Sequence, residues 1–173
     1  SGRAGLVAGG SRLRALAAVR LTGRAATGIE RGRVHNARVK IYAATDRSAS
    51  GNAVVELARA WAVKLQAELV LLHVVCDPVL GPAFTDDVPG DVARAKQELA
   101  AFAAKLTPPA RVLVQTAENV ADAIVAAAAD GDFLFVGSQG KSAFERFRLG
   151  SVATRVLRHS SVPVVCCPPM PSA

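Results

Sequence analysis

The sequence predicts a single α/β domain in which helices cover both faces of a five-stranded parallel β-sheet. The first observation is an alternation of short apolar segments with longer segments of helical spacing. The second is residues 68–75 (ELVLLHVV), whose nearly continuous apolar character is expected of a strand buried on both faces. The third is the regular strand–helix order from residue 39 to residue 166, which requires crossover connections and therefore parallel strands.

The first half of the domain begins with a strand and a polar turn. Residues 39–44 (VKIYAA) have the composition of a strand, and the turn that follows contains Asp46. Residues 49–65 carry apolar side chains three and four positions apart, which predicts an amphipathic helix before the strand at residues 68–75. Residues 77–90 contain three prolines and two glycines, and this composition predicts a loop.

The second half continues the same alternation. A helix at residues 91–106 has an apolar stripe and ends before Pro108 and Pro109, because proline cannot continue a helix. Asn119 is predicted to cap the next helix, since its side chain accepts hydrogen bonds from free backbone N–H groups. The remaining predicted elements are a strand at residues 111–116, a helix at 120–129, a strand at 133–136, a helix at 152–158 and a strand at 162–166.

The positive charge of the chain is concentrated before the predicted domain. The chain has 173 residues and a formal net charge of +7. Residues 1–40 hold nine basic residues and one acidic residue, which leaves the remainder close to neutral. A domain that binds nucleic acid keeps its charge on the fold, so no nucleic-acid contact is expected on this one. We predict a basic, flexible N-terminal extension at residues 1–37 and one domain at residues 38–170.

The composition predicts one cellular location and leaves one alternative. No apolar run is long enough to span a bilayer, and Cys76, Cys166 and Cys167 are too few and too clustered for a disulfide framework. These features predict a soluble, cytoplasmic protein without membrane contact. Residues 1–37 are acid-poor and contain several arginines, which also fits an organellar transit segment, so an organellar location is the alternative.

Residues 137–151 (GSQGKSAFERFRLGS) contain the most informative motif. Two residues separate Gly137 from Gly140, and nine more lead to the pair Gly150 and Ser151. The motif lies between a predicted strand and a predicted helix, where glycines let backbone N–H groups approach a phosphate without obstruction by a Cβ atom. The spacing predicts a nucleotide-binding loop, and simple turn glycines are the alternative interpretation.

From residue 38 to about residue 168 the chain resembles the universal stress protein family. Four segments carry the resemblance: KIYAATDRSASG, LVLLHVV, FLFVGSQGKSAFERFRLGSVATRVL and HSSVPVVCCP. The ATP-binding subgroup of that family has Gly, two residues, Gly, nine residues, and Gly followed by Ser or Thr, which is the spacing found here. The resemblance implies a Rossmann-like fold, related to the adenine nucleotide alpha hydrolases, with strand order 3-2-1-4-5.

The resemblance also implies a binding site at the crevice where that strand order reverses. Asp46, after the first strand, corresponds to the acid that contacts the nucleotide sugar, and Gly137 follows the fourth strand beneath the nucleoside. Ser151 lies at a helix start, where the helix dipole favours phosphate. The residues implied to bind nucleotide are Ala44, Asp46, Val74, Val136, Gly137, Gly140, Gly150, Ser151 and Val152.

The function implied by the resemblance is that of an ATP-binding stress-response protein that acts as a sensor or signalling module. Its ligand would be ATP with Mg²⁺, and its partner a second copy paired through the last predicted strand, from Val162 to Cys166. The alternatives are a slow ATP hydrolase, a binder of AMP or cyclic AMP, and a scaffold without nucleotide. We predict no catalytic residue, because no Ser-His-Asp set, metal cluster or Walker-type loop is apparent.

Overall fold

The computed structural model describes residues 19–20, 38–77, 87–139 and 149–168. From residue 38 onward these ranges contain five strands and four helices in alternation. The strands are β1 Lys40–Ala44, β2 Glu68–Cys76, β3 Arg111–Ala117, β4 Phe133–Gly137 and β5 Val164–Cys167. The helices are α1 Ala49–Leu65, α2 Val88–Ala103, α3 Val120–Ala127 and α4 Ser151–His159.

The five strands form a parallel sheet in the order β3-β2-β1-β4-β5. This order confirms the predicted fold class. The central strand β1 pairs with both β2 and β4, so that Ile41 lies opposite Leu69 on one side and Phe133 on the other. The strand order therefore reverses between β1 and β4, and a crevice opens beyond their carboxyl ends.

Helices cover both faces of the sheet, and each face has its own apolar core. Because side chains alternate along a strand, Ile41 and Phe135 face α1 and α2, whereas Tyr42 and Leu134 face α3 and α4. Trp61 of α1 packs edge-on against Phe135, with ring centroids 5.4 Å apart. The described helices are all too short or too polar to cross a membrane.

The ends of α2 differ from the sequence prediction. The helix begins at Val88, inside the segment predicted to be a loop, and the carboxylate of Asp87 caps it by accepting from Gly90 N at 2.9 Å. Pro89 lies in the first turn, where its missing N–H would have no helical partner. The helix also ends at Ala103, three residues before the predicted end. The rest of the predicted loop, residues 78–86, lies outside the described residues.

The last strand begins later than predicted, at Val164 instead of Val162. Val162 belongs to a tight turn, because Ser160 Oγ donates to its carbonyl at 2.9 Å and accepts from its N–H at 3.2 Å. The two adjacent cysteines face opposite sides of the sheet, because side chains alternate along a strand. Cys166 packs on the α3/α4 side of the sheet, and Cys167 is buried on the α1/α2 side.

Two residues of the predicted N-terminal extension join the sheet. The strand Val19–Arg20 pairs antiparallel with β5, opposite Val165 and Val164. This edge of β5 is the one through which the sequence predicts a homodimer. The homodimer and the domain boundary at residue 38 both stay predictions, and the other residues before position 38 lie outside the described part of the chain.

Candidate functional site

A cleft of about 270 Å³ opens beyond the carboxyl ends of β1 and β4. Its walls come from the end of β2, the turn after β1, the segment after β4, and the first turns of α3 and α4. The lining residues are Ala44, Thr45, Asp46, Gly51, Leu72, His73, Val74, Val120, Ile124, Val136, Gly137, Ser138, Gln139, Gly150, Ser151, Val152 and Ala153. One side of the cleft is thus apolar and the other presents backbone and short polar side chains.

The turn after β1 orients the carboxylate of Asp46. Its Oδ1 accepts from the backbone N–H of Ser48 at 3.0 Å and from the hydroxyl of the same residue. The Ser48 hydroxyl in turn accepts from Gly51 N at 3.1 Å and so caps α1. One oxygen of Asp46 is therefore committed to the turn, in a geometry that capping enforces.

The second oxygen of Asp46, Oδ2, is buried and has no hydrogen-bond partner within the described part of the protein. A carboxylate oxygen accepts hydrogen bonds strongly, and leaving it buried without a donor costs about 1–3 kcal/mol or more. Asp46 lines the cleft. Asp46 Oδ2 can therefore accept a hydrogen bond from a hydroxyl or N–H group of a molecule that enters the cleft.

His73 lies on β2 at the edge of the same cleft, and it is buried. Its Nδ1 is 2.8 Å from the carbonyl oxygen of Thr45. Because a carbonyl only accepts, Nδ1 carries the proton in this contact. Thr45 N donates to Leu72 O at 2.9 Å, which continues the pairing of β1 with β2 beyond the strand end. His73 thus supports the turn after β1 through this hydrogen bond.

Backbone hydrogen bonds join the two ends of the glycine motif. Ser138 N donates to Cys167 O at 2.7 Å, and Gly150 N donates to Ser138 O at 2.7 Å. A Cβ atom on Gly137 would lie 3.1 Å from Gln139 O, which leaves little room for any side chain at the end of β4. The N–H of Gly150 is therefore already bonded within the protein and is not available as a donor to the cleft. Because this glycine has no Cβ atom, its backbone can still be approached closely.

The first turn of α4 supplies free donors on the opposite wall of the cleft. Gly150 is the N-cap residue, and no side chain caps this helix. The first intrahelical bond runs from Thr154 N to Gly150 O at 2.9 Å, so the N–H groups of Ser151 and Val152 have no partner within the helix. The positive end of the helix dipole is added to these donors. Such a helix start favours a phosphate or another anion.

An ion pair holds α4 against α3 below the cleft. Arg155 Nε and Nη2 donate to the two oxygens of Asp122 at 2.7 Å each, in a bidentate arrangement. The hydrogen bond from Arg155 lowers the pKa of Asp122, and the same bond raises the pKa of the arginine. Both side chains are about half exposed, so the pair contributes more to the relative orientation of the helices than to stability.

A second ion pair fixes the turn after β1 to α2. Arg47 has φ of +64°, a left-handed conformation that costs a non-glycine residue about 1 kcal/mol or more. Its backbone N–H donates to Thr45 Oγ1 at 3.0 Å, and its guanidinium lies 2.6 Å from Glu98. These contacts hold Arg47 in that conformation and direct its charge toward α2 instead of into the cleft.

The structure brings eight of the nine sequence-predicted site residues to this cleft. Those eight are Ala44, Asp46, Val74, Val136, Gly137, Gly150, Ser151 and Val152. Gly140 lies outside the described residues. Their role as ligand contacts stays a prediction, since their position in the cleft does not itself show a contact with a ligand.

Sequence reasoning missed several residues of the cleft. Thr45 and Ser138 directly follow the strands whose ends form the crevice, and their position in the chain alone would have found them. Gly51 carried a weaker signal, as a glycine in the first turn of a helix. Val120 and Ile124 come from α3, and only the packing of that helix against α4 reveals that they reach the cleft.

Comparison with known proteins agrees with this architecture. UspA from Lactobacillus plantarum is 21% identical, with a TM-score of 0.62 over 76% of this chain and 98% of that chain. The universal stress protein from Archaeoglobus fulgidus in complex with dAMP is 22% identical, with a TM-score of 0.55 over 74% and 96%. A universal stress protein in complex with cAMP is 23% identical, with a TM-score of 0.53 over 78% and 99%. These likenesses show the fold.

The family assignment rests on a separate match, which covers most of the chain. The model of the universal stress protein family matches residues 38–168. This range begins just before β1, ends just after β5, and so includes every lining residue of the cleft. The chain therefore belongs to the universal stress protein family.

Proposed function

We propose that the cleft binds an adenine nucleotide, with ATP and Mg²⁺ as the preferred ligand, and that binding makes the protein a nucleotide-dependent sensor or signalling module in a stress response. The observation that carries the proposal is the buried Oδ2 of Asp46, which has no hydrogen-bond partner among the described residues. It lies in the same cleft as the start of α4, which no described side chain caps. One group accepts hydrogen bonds and the other donates them to an anion. A nucleoside phosphate contains both matching groups, ribose hydroxyls and phosphate oxygens.

The proposed assignment of the walls follows from their chemistry. Ala44 and Val74 offer an apolar surface to the base, and Asp46 Oδ2 accepts from a ribose hydroxyl. The backbone N–H groups of Ser151 and Val152 donate to phosphate oxygens. Mg²⁺ would be bound mainly by phosphate oxygens and water, as is usual for this ion in nucleotide sites.

A nucleoside monophosphate is the second candidate ligand. The solved relatives in complex with dAMP and with cAMP favour it, because each carries a single phosphate. Slow hydrolysis of bound ATP is a further alternative, and a turnover measurement with added ATP distinguishes it from binding alone. Both alternatives use the same cleft; the choice of ligand tests the first, and the turnover measurement tests the second.

The test is calorimetric titration of the purified chain with ATP, AMP and cyclic AMP, each with and without Mg²⁺. The informative variant is Asp46→Asn, which keeps an oxygen for Ser48 but presents an amide nitrogen where Oδ2 lies. Loss of a hydrogen bond to a charged group is worth about 1.5–3 kcal/mol, so affinity should fall roughly tenfold to a hundredfold. Glu56→Gln on the outer face of α1 removes the same charge away from the cleft and serves as the control.

The outcomes separate the candidates. Tighter binding of ATP than of the monophosphates supports the proposal, and the reverse order assigns the site to AMP or cyclic AMP. Binding of none of the three nucleotides, or equal affinities for Asp46→Asn and the unchanged chain, contradicts the proposed site.

We also propose that the folded domain pairs as a homodimer through the outer edge of β5. An apolar strand at the edge of a sheet offers unpaired backbone groups that a second copy can satisfy. Light scattering on a chain that lacks residues 1–36 measures this state directly. A monomeric mass at micromolar concentration would contradict the homodimer.

A further inference from the structure

The outer edge of β5 is already occupied by the chain itself. β5 pairs on its inner side with β4, in parallel, and on its outer side with Val19–Arg20, antiparallel. Val164 and Val165 of β5 are buried. The short N-terminal strand therefore covers the only side of β5 that the sheet leaves open.

The hydrogen bonds of β4 show which residues of β5 face outward. Leu134 N donates to Pro163 O and Ser138 N donates to Cys167 O, so residues 163, 165 and 167 direct their backbone groups toward β4. The groups of Val164 and Cys166 consequently point to the outer edge. The observed register places Arg20 opposite Val164, which makes these two residues the hydrogen-bonding pair of the antiparallel ladder.

One strand edge pairs with one partner at a time. We propose that the N-terminal strand Val19–Arg20 caps the outer edge of β5 in cis and competes there with a second copy of this chain. The inference rests on the homodimer proposed above. The uncapped edge forms the dimer, and the capped edge gives a monomer.

The covalent link between Val19–Arg20 and the domain favours this strand over a second copy. The described ladder between Val19–Arg20 and β5 is two residues long, and a ladder of that length is weak as a contact. Arg20 and β1 are nevertheless separated by about 20 residues of the same chain, and such a link gives an effective concentration on the order of millimolar. A second copy at micromolar concentration is roughly a thousandfold more dilute. The tether therefore favours the cap by about this factor over a contact of equal strength with a second copy, and the advantage is lost when the segment is removed, bound or modified.

The experiment compares four forms of the chain by light scattering at micromolar concentration. They are the unchanged chain, Arg20→Pro, Arg24→Pro, and the chain without residues 1–36. Proline at position 20 removes the N–H that donates to the carbonyl oxygen of Val164. Arg24→Pro is the matched control, because it makes the same chemical change outside the two-residue strand. The unchanged chain and Arg24→Pro should have the monomer mass of 17.9 kDa, whereas Arg20→Pro should shift toward twice that mass.

The truncated chain is expected to be fully dimeric, and nucleotide affinity should be the same in all four forms, because Val19–Arg20 pairs with β5 and not with the cleft walls. A dimeric unchanged chain overturns the competition and leaves the homodimer standing. Four monomeric forms overturn both proposals. Monomeric Arg20→Pro beside a dimeric truncated chain overturns the assignment of the cap to Val19–Arg20.

Discussion

Ser48 determines how the carboxylate of Asp46 meets the cleft. Its hydroxyl donates to Asp46 Oδ1 and accepts from Gly51 N, so a single side chain both orients the acid and caps α1. The proposed ligand contact is compatible with this cap, because the bond to Ser48 uses Oδ1 of Asp46 and the ligand would use Oδ2. The local rule that places Ser at a helix start therefore also presents an acceptor to the cleft.

Gly51 is expected to be intolerant of even the smallest side chain. Alanine in place of glycine within a helix normally stabilises by up to about 1 kcal/mol. A Cβ atom here would lie 2.6 Å from both Asp46 Oδ1 and Thr45 Oγ1, so the turn must move. We expect Gly51→Ala to lower nucleotide affinity at least severalfold and to give no gain in melting temperature. Ser50→Ala is the control, and unchanged affinity of Gly51→Ala would show that the turn tolerates the shift.

Gln66 is the residue where a simple substitution should stabilise the protein. It ends α1 in a left-handed conformation with φ of +52° and is exposed. Glycine adopts this conformation without steric cost, so Gln66→Gly should raise the free energy of unfolding by about 0.5–1 kcal/mol. Denaturant unfolding measures the change. Gln66→Ala keeps the strain and should show no gain, and lower stability of Gln66→Gly would contradict this account.

At the scale of elements, a polar network ties the turn after α3 to the central strand. Tyr42 Oη and Lys40 Nζ each donate to the carboxylate of Asp130 at 2.7 Å, and Lys40 N donates to Asp132 at 2.8 Å. The bonds from Lys40 and Tyr42 lower the pKa of Asp130. Gly131 lies against the ring of Tyr42, where a Cβ atom would come within 2.7 Å of Cδ2. The network fixes where β4 begins.

Tyr42 makes stability depend on pH in the alkaline range. Burial, and then the hydrogen bond to Asp130, raise its pKa from the ordinary value of 10.0 to about 12. Because the folded-state pKa is the higher one, this contribution is complete below pH 10 and is lost as the pH rises from about 10 to 12. Tyr42→Phe should lower the free energy of unfolding by about 1 kcal/mol at neutral pH. The stability of this variant should not show the decline between about pH 10 and 12. Parallel curves for the two proteins above pH 10 would contradict the assignment.

At the scale of the whole molecule, the cleft is formed by segments far apart in the chain. The turn after β1 and the start of α4 meet because the strand order reverses between β1 and β4. A ligand that spans them joins both halves of the domain and should oppose global unfolding.

Bound nucleotide is therefore expected to stabilise the whole domain. At a ligand concentration one hundred times Kd the gain is about 2.7 kcal/mol, which corresponds to a rise in Tm of roughly 5–10 °C for a domain of this size. Differential scanning calorimetry with and without ATP measures it. Asp46→Asn should show a smaller rise and Glu56→Gln the full one, whereas equal rises for both variants would place the stabilising ligand outside the cleft.

The elements of the domain were predictable to the extent that their signals are local. The apolar spacing of α1 gave both of its observed ends, and Asn119 was correctly predicted to cap α3, where it accepts from Asp122 N at 3.1 Å. The start of α2 was missed, because proline and glycine in residues 88–90 are equally typical of a loop and of a first helical turn. Composition does not distinguish these two uses.

The sequence by itself determined the fold class, the strand order through the family resemblance, and eight of the residues that line the cleft, because each depends on short-range patterns or on the spacing of one motif. Only the tertiary structure decided which atoms of those residues are free. Asp46 Oδ2 has no hydrogen-bond partner among the described residues, whereas Gly150 N donates to Ser138 O. The pairing of Val19–Arg20 with β5 was likewise evident only from the tertiary structure. Such outcomes depend on contacts between residues distant in sequence, where burial and backbone pairing settle which polar groups remain available.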